Sequence, residues 1–425
     1  MNVRQAAWET LNRCVSSEQY SNIAVDTVLR RNDFSVADKG LLTALVYGVL
    51  ERRLTLDYQI ARLSARGVDE LDVQTLNLLR MGLYQLLYLD RVPDHAAVNE
   101  TVALAPRKSR GFVNAILRTF LRENKQIALP NAAADPIAHL SVRYSFAPDI
   151  CEIFVRQFGM ERTESLLAAF CVKPPLTLRV NTLKTSREAL LASLASAGFE
   201  ATETAESTVG VSLAGATVTA LPGYTEGHFF VQDEASQLCV EALDARAGMT
   251  VLDACACPGS KSFGAAIDMQ NEGRVVSCDL HKNKLSLVLG GAERLGISIL
   301  SAEARDAREL RPEWVGAFDR VLCDVPCSGF GVFAKKPELR YKDVRMSAAL
   351  PAIQRDILQT SAQYIKAGGR LVYSTCTLLD RENGDNIAAF LQEHPAFSLV
   401  RERTLTPDVD GCDGFYFAVL ERAKD

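Results

Sequence analysis

No stretch of the 425 residues approaches 18 uninterrupted apolar positions, and Arg4 and Glu9 break the apolar run at the start of the chain. Neither a membrane span nor a secretory leader is therefore expected. Histidine is scarce, with five in all, and none adjoins the closely spaced cysteine pairs, Cys255-x-Cys257 and Cys323-x3-Cys327. The eleven cysteines contain no C-x-x-C pair, a pattern that suits neither a zinc site nor a disulfide framework. No metal is expected, and reduced thiols point to a cytoplasmic protein. The chain also lacks a P-loop and a G-x-G-x-x-G turn, which argues against phosphate cradling. Low-complexity tracts are missing, so disordered and fibrous classes fall away. Strong net charge is missing too, at -5, but its distribution is uneven. Residues 1–130 carry 17 Lys and Arg against 14 Asp and Glu, while 131–235 carry 7 against 12 and the remainder 23 against 26. Only the first segment leans basic, a weak pointer to nucleic acid.

What is present divides into three parts. Residues 1–130 repeat apolar positions at helical spacing, as through Leu76, Leu79, Leu83, Leu86 and Leu87, and predict an all-helical domain ending at a Pro-rich linker. Residues 131–235 predict linker helices followed by a small α+β subdomain, in which PPLTLRVNTLK alternates like a strand and SREALLASLASAGF reads as a helix. From 236 to 425 five short apolar runs, VLDACA, RVVSCDL, ISILSA, DRVLCDV and RLVYSTC, alternate with helix-compatible sequence. That order predicts an α/β, Rossmann-like parallel sheet, with GFYFAVLER as one more strand, antiparallel at or near the edge.

Four motifs carry chemistry. The turn Cys255-Ala256-Cys257-Pro258-Gly259-Ser260-Lys261 joins a strand to a helix, where free backbone N–H groups can meet a polar ligand. Asp279 ends the next strand about 20 residues on, placed to take the two hydroxyls of a ribose. A dinucleotide and S-adenosylmethionine would both satisfy that pair. Asp306, or else Glu303, follows the third strand and could reach an adenine. Asp324, Pro326 and Cys327 stand where the fourth strand ends, and Cys376 where the fifth ends. Buried packing explains Cys323 within its strand, but Cys327 lies beyond the strand, where a thiol has less reason to pack. Two thiols at neighbouring strand ends favour a nucleophilic thiol over a metal site.

In sequence and order, DACACPGSKS, DVPCSGFGV, STCTLLDREN and GCDGFYFAVLER resemble the motifs of the cytosine-carbon-5 RNA methyltransferases. LRMGLYQLLYLDRVPDHAAVNETVALA and RGFVNAILRTF extend the similarity to the bacterial 16S rRNA members that carry an N-terminal NusB-like domain. Cys257 and Ser260 stand where the family usually has Ala and a second Gly. The resemblance implies S-adenosyl-L-methionine bound by residues 255–261, Asp279, Asp306 and Asp324. It implies Cys376 as the thiolate that adds to cytosine carbon 6, Asp324 as the partner of ring nitrogen 3, and Cys327 as the thiol that assists release. Arg179 and Asn181 are implied as RNA contacts, the partner being 16S rRNA before the subunit is fully assembled, and the protein a monomer. The same chemistry on tRNA or another rRNA position, or a non-catalytic RNA-binding factor, are the alternatives. Since the candidate reactive residues all follow residue 250, the helical domain is expected to serve RNA recognition and not chemistry.

Overall fold

A computed structural model describes residues 2–16, 21–65 and 67–424, which form two compact units. The first comprises residues 1–171 together with a later excursion of the chain, 335–344. Its helices are α1 (Val3–Ser16), α2 (Ser21–Arg31), α3 (Val36–Glu51), α4 (Arg53–Leu63), α5 (Val73–Tyr88), α6 (Asp94–Leu104), α7 (Arg110–Arg122), α8 (Pro136–Tyr144), α9 (Pro148–Phe158) and α10 (Met160–Phe170). Asp72 caps α5 by accepting from Thr75 N, and the expected leucine face is buried at Leu76, Leu79, Leu83 and Leu86. Helices α3 and α5 cross closely because residue 48 is glycine, where a Cβ would lie 1.9 Å from the Tyr84 ring.

The boundary expected near 130 falls inside this unit. Gln59 grips the backbone of Ala128 from both sides, with Nε2 donating to its carbonyl at 2.9 Å and Oε1 accepting its N–H at 3.0 Å. Thr55 Oγ1 donates to Val142 O at 2.6 Å, and Leu54 N to Ser145 Oγ at 2.9 Å. These bonds fasten the Pro-rich segment and α8 to α4, so the helices up to Cys171 stay with the first unit.

The second unit comprises 172–334 and 345–425. Strands β1 (Leu176–Val180), β2 (Ala201–Glu203), β3 (Gly210–Leu213) and β4 (Phe229–Val231) form an antiparallel sheet in the order β2-β3-β1-β4. Helix α11 (Arg187–Ser196) covers it, burying Leu190 and Leu194 with Leu178, Val180, Val211 and Phe229. Then come α12 (Glu234–Leu243), β5 (Thr250–Asp253), α13 (Ser260–Asp268), β6 (Arg274–Asp279), α14 (Leu285–Leu295), β7 (Leu300–Ala304) and β8 (Phe318–Asp324). The chain ends through α15 (Leu350–Gln363), β9 (Ile365–Thr375), α16 (Gly384–Glu393), β10 (Phe397–Leu405) and β11 (Phe415–Arg422).

The seven-stranded sheet runs β10-β11-β9-β8-β5-β6-β7, with β5 to β9 parallel and the last two strands antiparallel. This is the Rossmann-like sheet the sequence predicts. The terminal strand β11 lies one position in from the edge, because β10 pairs outside it. From β5 the chain builds outward through β6 and β7, then returns to β5's other side with β8 and β9. The crevice where that order reverses, at the carboxyl ends of β5 and β8, is where open α/β sheets bind ligands.

Candidate active site

Strand β5 delivers Asp253 to this crevice, and the turn after it is tied to both neighbouring strands. Ala254 N donates to Leu322 O of β8 at 2.9 Å, and Ala256 N to Cys278 O of β6 at 2.7 Å. Cys257 N donates to Asp279 Oδ2 at 3.3 Å, while Asp279 Oδ1 accepts His281 N at 2.9 Å. The loop and the acid expected to share a ligand are therefore in contact. Gly259 has φ 111°, and a Cβ there would lie 2.6 Å from the Phe263 ring, so glycine is needed on both counts. Ser260 is already the first residue of α13, a position that does not call for glycine. No side chain caps α13, which leaves its first-turn amides to a ligand.

Asp253 is fully buried, with Ser262 Oγ donating to Oδ2 at 2.6 Å and no partner for Oδ1 among the described residues. Burial raises its carboxyl to about 6. Burial likewise raises the Cys257 thiol to about 12, with the Asp279 charge adding to it, and raises Cys255 well above the ordinary range. These loop thiols stay protonated at neutral pH.

Strands β8 and β9 carry the other half of the site. Asp324 pairs in register with Ser374, whose Oγ donates to Asp324 Oδ1 at 2.8 Å. Lys261, from the first turn of α13, reaches Asp324 Oδ2 at 2.7 Å and lies 5.1 Å from the centre of the Phe415 ring. Burial works against this ammonium, yet the Asp324 carboxylate outweighs it and holds the lysine above its ordinary range. Beyond the strand ends, Cys327 and Cys376 are both half-buried, with their sulfurs 3.1 Å apart. The bond to Cys376 and then burial raise the Cys327 thiol well above its ordinary value. Gly331 N donates to Cys376 O at 3.0 Å, joining the two cysteine loops a second time.

Other expected residues stand apart from this cluster. Asp306 is held by Arg308, Nη2 to Oδ2 at 2.6 Å, and Glu303 by Arg311 at 2.9 Å. Arg179 is buried, with Nη2 on Asp268 Oδ1 at 2.6 Å. Asn181 is buried as well, donating from Nδ2 to Gly227 O and Leu295 O, each at 2.9 Å, and accepting from Leu183 N at 3.2 Å. Both side chains fasten β1 and the turn after it to their surroundings. Sequence reasoning passed over Glu382 and Gln354, which close on the Cys327 turn from below. Glu382 lies inside STCTLLDREN, but an acid just ahead of a helix looks like an ordinary partner of the helix dipole.

Comparison with known proteins identifies the family. The sequence pattern of the 16S rRNA methyltransferase RsmB/F family matches residues 240–421, that of the NusB family residues 1–122, and the RsmF/B-like ferredoxin-like domain residues 150–219. A probable ribosomal RNA small subunit methyltransferase B of Bacillus subtilis is 37% identical, covering 99% of both chains. Its counterpart named in Klebsiella pneumoniae is 33% identical over 100% of this chain and 99% of its own. The solved structure of PH0851 superposes with a TM-score of 0.83 at 25% identity, over 99% of this chain and 98% of that one. A Pyrococcus horikoshii structure named NSun6 with SFG shares the fold at 19% identity and TM-score 0.62, over 66% of this chain and 100% of its own. The chain belongs to the 16S rRNA methyltransferase RsmB/F family and is an RNA methyltransferase.

Proposed function

We propose that the protein methylates carbon 5 of a cytosine in 16S rRNA through a covalent adduct between Cys376 and carbon 6. The observation that carries this reading is the 3.1 Å approach of Cys327 and Cys376 beside Asp324. S-adenosylmethionine fits the crevice: the uncapped α13 amides and the orphaned Asp253 oxygen suit its amino-acid end, and Asp279 its ribose. When bound, it supplies an electrophilic methyl group.

Carbon 5 of cytosine is a weak nucleophile, and addition of the Cys376 thiolate at carbon 6 loads it with electron density. Asp324, oriented by Lys261 and Ser374, accepts the hydrogen bond of ring nitrogen 3 as that nitrogen takes a proton. Once carbon 5 carries the methyl, its proton passes to water, the C–H electron pair re-forms the carbon 5–carbon 6 double bond, the carbon 6–sulfur bond breaks to expel the Cys376 thiolate, and nitrogen 3 gives its proton back to solvent. Cys327, held as a thiol, donates its hydrogen bond to the departing sulfur. A base stacked in RNA must be flipped out to reach these thiols. RNA is held in part by α7 of the helical unit and the turn just ahead of it, where Arg107, Lys108, Arg110, Arg118 and Arg122 are exposed and no acid occurs from 106 to 122. The opposite face of α7 buries Val113, Ile116, Leu117 and Phe120, so the basic face is turned outward.

The test separates the two cysteines. Cys376→Ala should abolish methylation and form no covalent complex. Cys327→Ala should accumulate a protein–RNA adduct that survives denaturing electrophoresis when cofactor is present. The reverse pattern would exchange their roles, and no adduct in either would remove the release role of Cys327.

A further inference from the structure

Cys327 lies in a turn whose two flanking peptide groups are both held from below by buried side chains. On its N-terminal side, Pro326 O accepts from Gln354 Nε2 at 3.0 Å. On its C-terminal side, Ser328 N donates to Glu382 Oε2 at 2.9 Å. Gln354 Nε2 also donates to that same Oε2 at 2.9 Å, so one carboxylate oxygen closes the cradle. Asn386 Nδ2 fixes the Gln354 amide by donating to its Oε1 at 3.0 Å, and Tyr373 OH donates to the backbone carbonyl of Glu382 at 2.5 Å. The Glu382 side chain is fully buried; no lysine or arginine pairs with it, and Oε1 has no hydrogen-bond partner, among the described residues.

A carboxylate in that setting is expensive, and a neutral amide could supply the same acceptor to Ser328 N and Gln354. Geometry by itself therefore does not account for glutamate at this position. What glutamate adds is a negative charge beneath the Cys327 turn, one hydrogen bond from the peptide group that follows Cys327. We propose that Glu382 is a positioning residue for the two cysteines, holding the Pro326–Cys327–Ser328 turn and using its charge to keep the shared proton on Cys327, so that Cys376 is the sulfur that attacks. The Glu382 charge does act to raise the Cys327 thiol, after the larger effects of the Cys376 bond and burial. The inference rests on the reading of Cys376 as nucleophile, and it names the group that makes the pair unequal.

The full-length protein carrying Glu382→Gln keeps the cradle and loses the charge, whereas Glu382→Ala loses both. Limiting iodoacetamide followed by peptide mass spectrometry measures how strongly Cys376 is alkylated in preference to Cys327, with no RNA involved. In Glu382→Gln that preference should fall at least about tenfold, with a melting temperature no lower than that of the unmodified protein and unchanged S-adenosylmethionine affinity. Glu382→Ala should lose the preference too, and a thiol-bridging reagent such as dibromobimane should link Cys327 to Cys376 less than half as often as in the unmodified protein or in Glu382→Gln. A Glu382→Gln protein with the original preference would overturn the proposal, as would one whose preference changes only along with a lowered melting temperature. If Cys327→Ala yields no RNA adduct, the release mechanism fails, but the alkylation ratio still decides the role of Glu382.

Discussion

Replacing Asp253 by Asn removes a carboxylate that the fold holds at a cost, and the cost depends on pH. The group is fully buried, one oxygen lacks a partner among the described residues, and burial raises its carboxyl from 3.8 to about 6. A group whose folded-state pKa is raised binds its proton more tightly in the folded state. Its stabilising contribution is complete below pH 3.8 and is lost as the pH rises through 6. A shift of about two units at about 1.4 kcal/mol each gives a loss of about 3 kcal/mol, undiscounted because no solvent reaches the group. Asn cannot ionise, so the stability of Asp253→Asn relative to wild type should climb by about 3 kcal/mol between about pH 4 and pH 7.5. The two tryptophans make this measurable, since Trp8 lies in the helical unit and Trp314 in the other. Trp314 is 8% exposed and meets Phe318 and Tyr364 edge-on, so in a Trp8→Phe background its fluorescence reports urea unfolding of the second unit. A stability difference that stays flat across this pH range, whatever its size, would refute the argument that Asp253 ionises against its surroundings.

Asp279→Ala should weaken S-adenosylmethionine binding by about 1 to 3 kcal/mol in calorimetry, the scale for hydroxyls that lose a charged acceptor. Asp279→Asn keeps an acceptor for Cys257 N–H and so separates loop support from ribose binding; unchanged affinity in both variants would take Asp279 out of the site. Reversing Arg118 and Arg122 to Glu should lower the slope of log affinity for rRNA against log salt by at least about 1.4, the release of two counterions from single-stranded RNA. An unaltered slope in filter binding would assign the basic face of α7 to something other than phosphate.

The legible parts of the chain are those where one local rule decides. Strands β5, β6, β8 and β9 could be read because buried parallel strands are continuous apolar runs, and α5 because its leucines keep helical period. The cysteine pair could be read from its place beyond two strand ends. Strand β10 could not: FSLVRERTL is largely exposed and charged, as edge strands commonly are, so it lacks an apolar signature. The alternation in PPLTLRVNTLK did mark β1, but it does not tell an exposed face from a buried one. Leu178, Arg179, Val180 and Asn181 are all buried, so in this stretch period two does not separate an outer from an inner face. Glu382 was illegible because its significance lies in what it accepts from Ser328 and Gln354, 54 and 28 residues away.

The excursion at 335–344 changes what the helical unit can mean for the chemistry. KKPELRYKDV reads as a solvated loop, yet Arg340 within it is 1% exposed. Its Nη1 donates to Glu51 O at 3.0 Å and its Nη2 to Phe170 O at 2.7 Å, with the guanidinium 4.9 Å from the centre of the Phe146 ring. Tyr341 OH donates to Leu50 O at 2.6 Å and accepts from Arg53 N at 3.1 Å. Cutting the chain near 130 would take away Leu50, Glu51 and Arg53 together, leaving Arg340 to Phe170 O and Cys171 Sγ and Tyr341 OH to Ser145 Oγ. Each buried hydrogen bond lost in this way costs about 1 to 3 kcal/mol, more for that of the charged group. The segment lies in the chain between Cys327 and Cys376, eight residues past the first of them at its start. A helical unit that contributes no reactive residue therefore still fixes the path of the polypeptide joining the two thiols, and its removal is not a neutral way to isolate the methyltransferase chemistry.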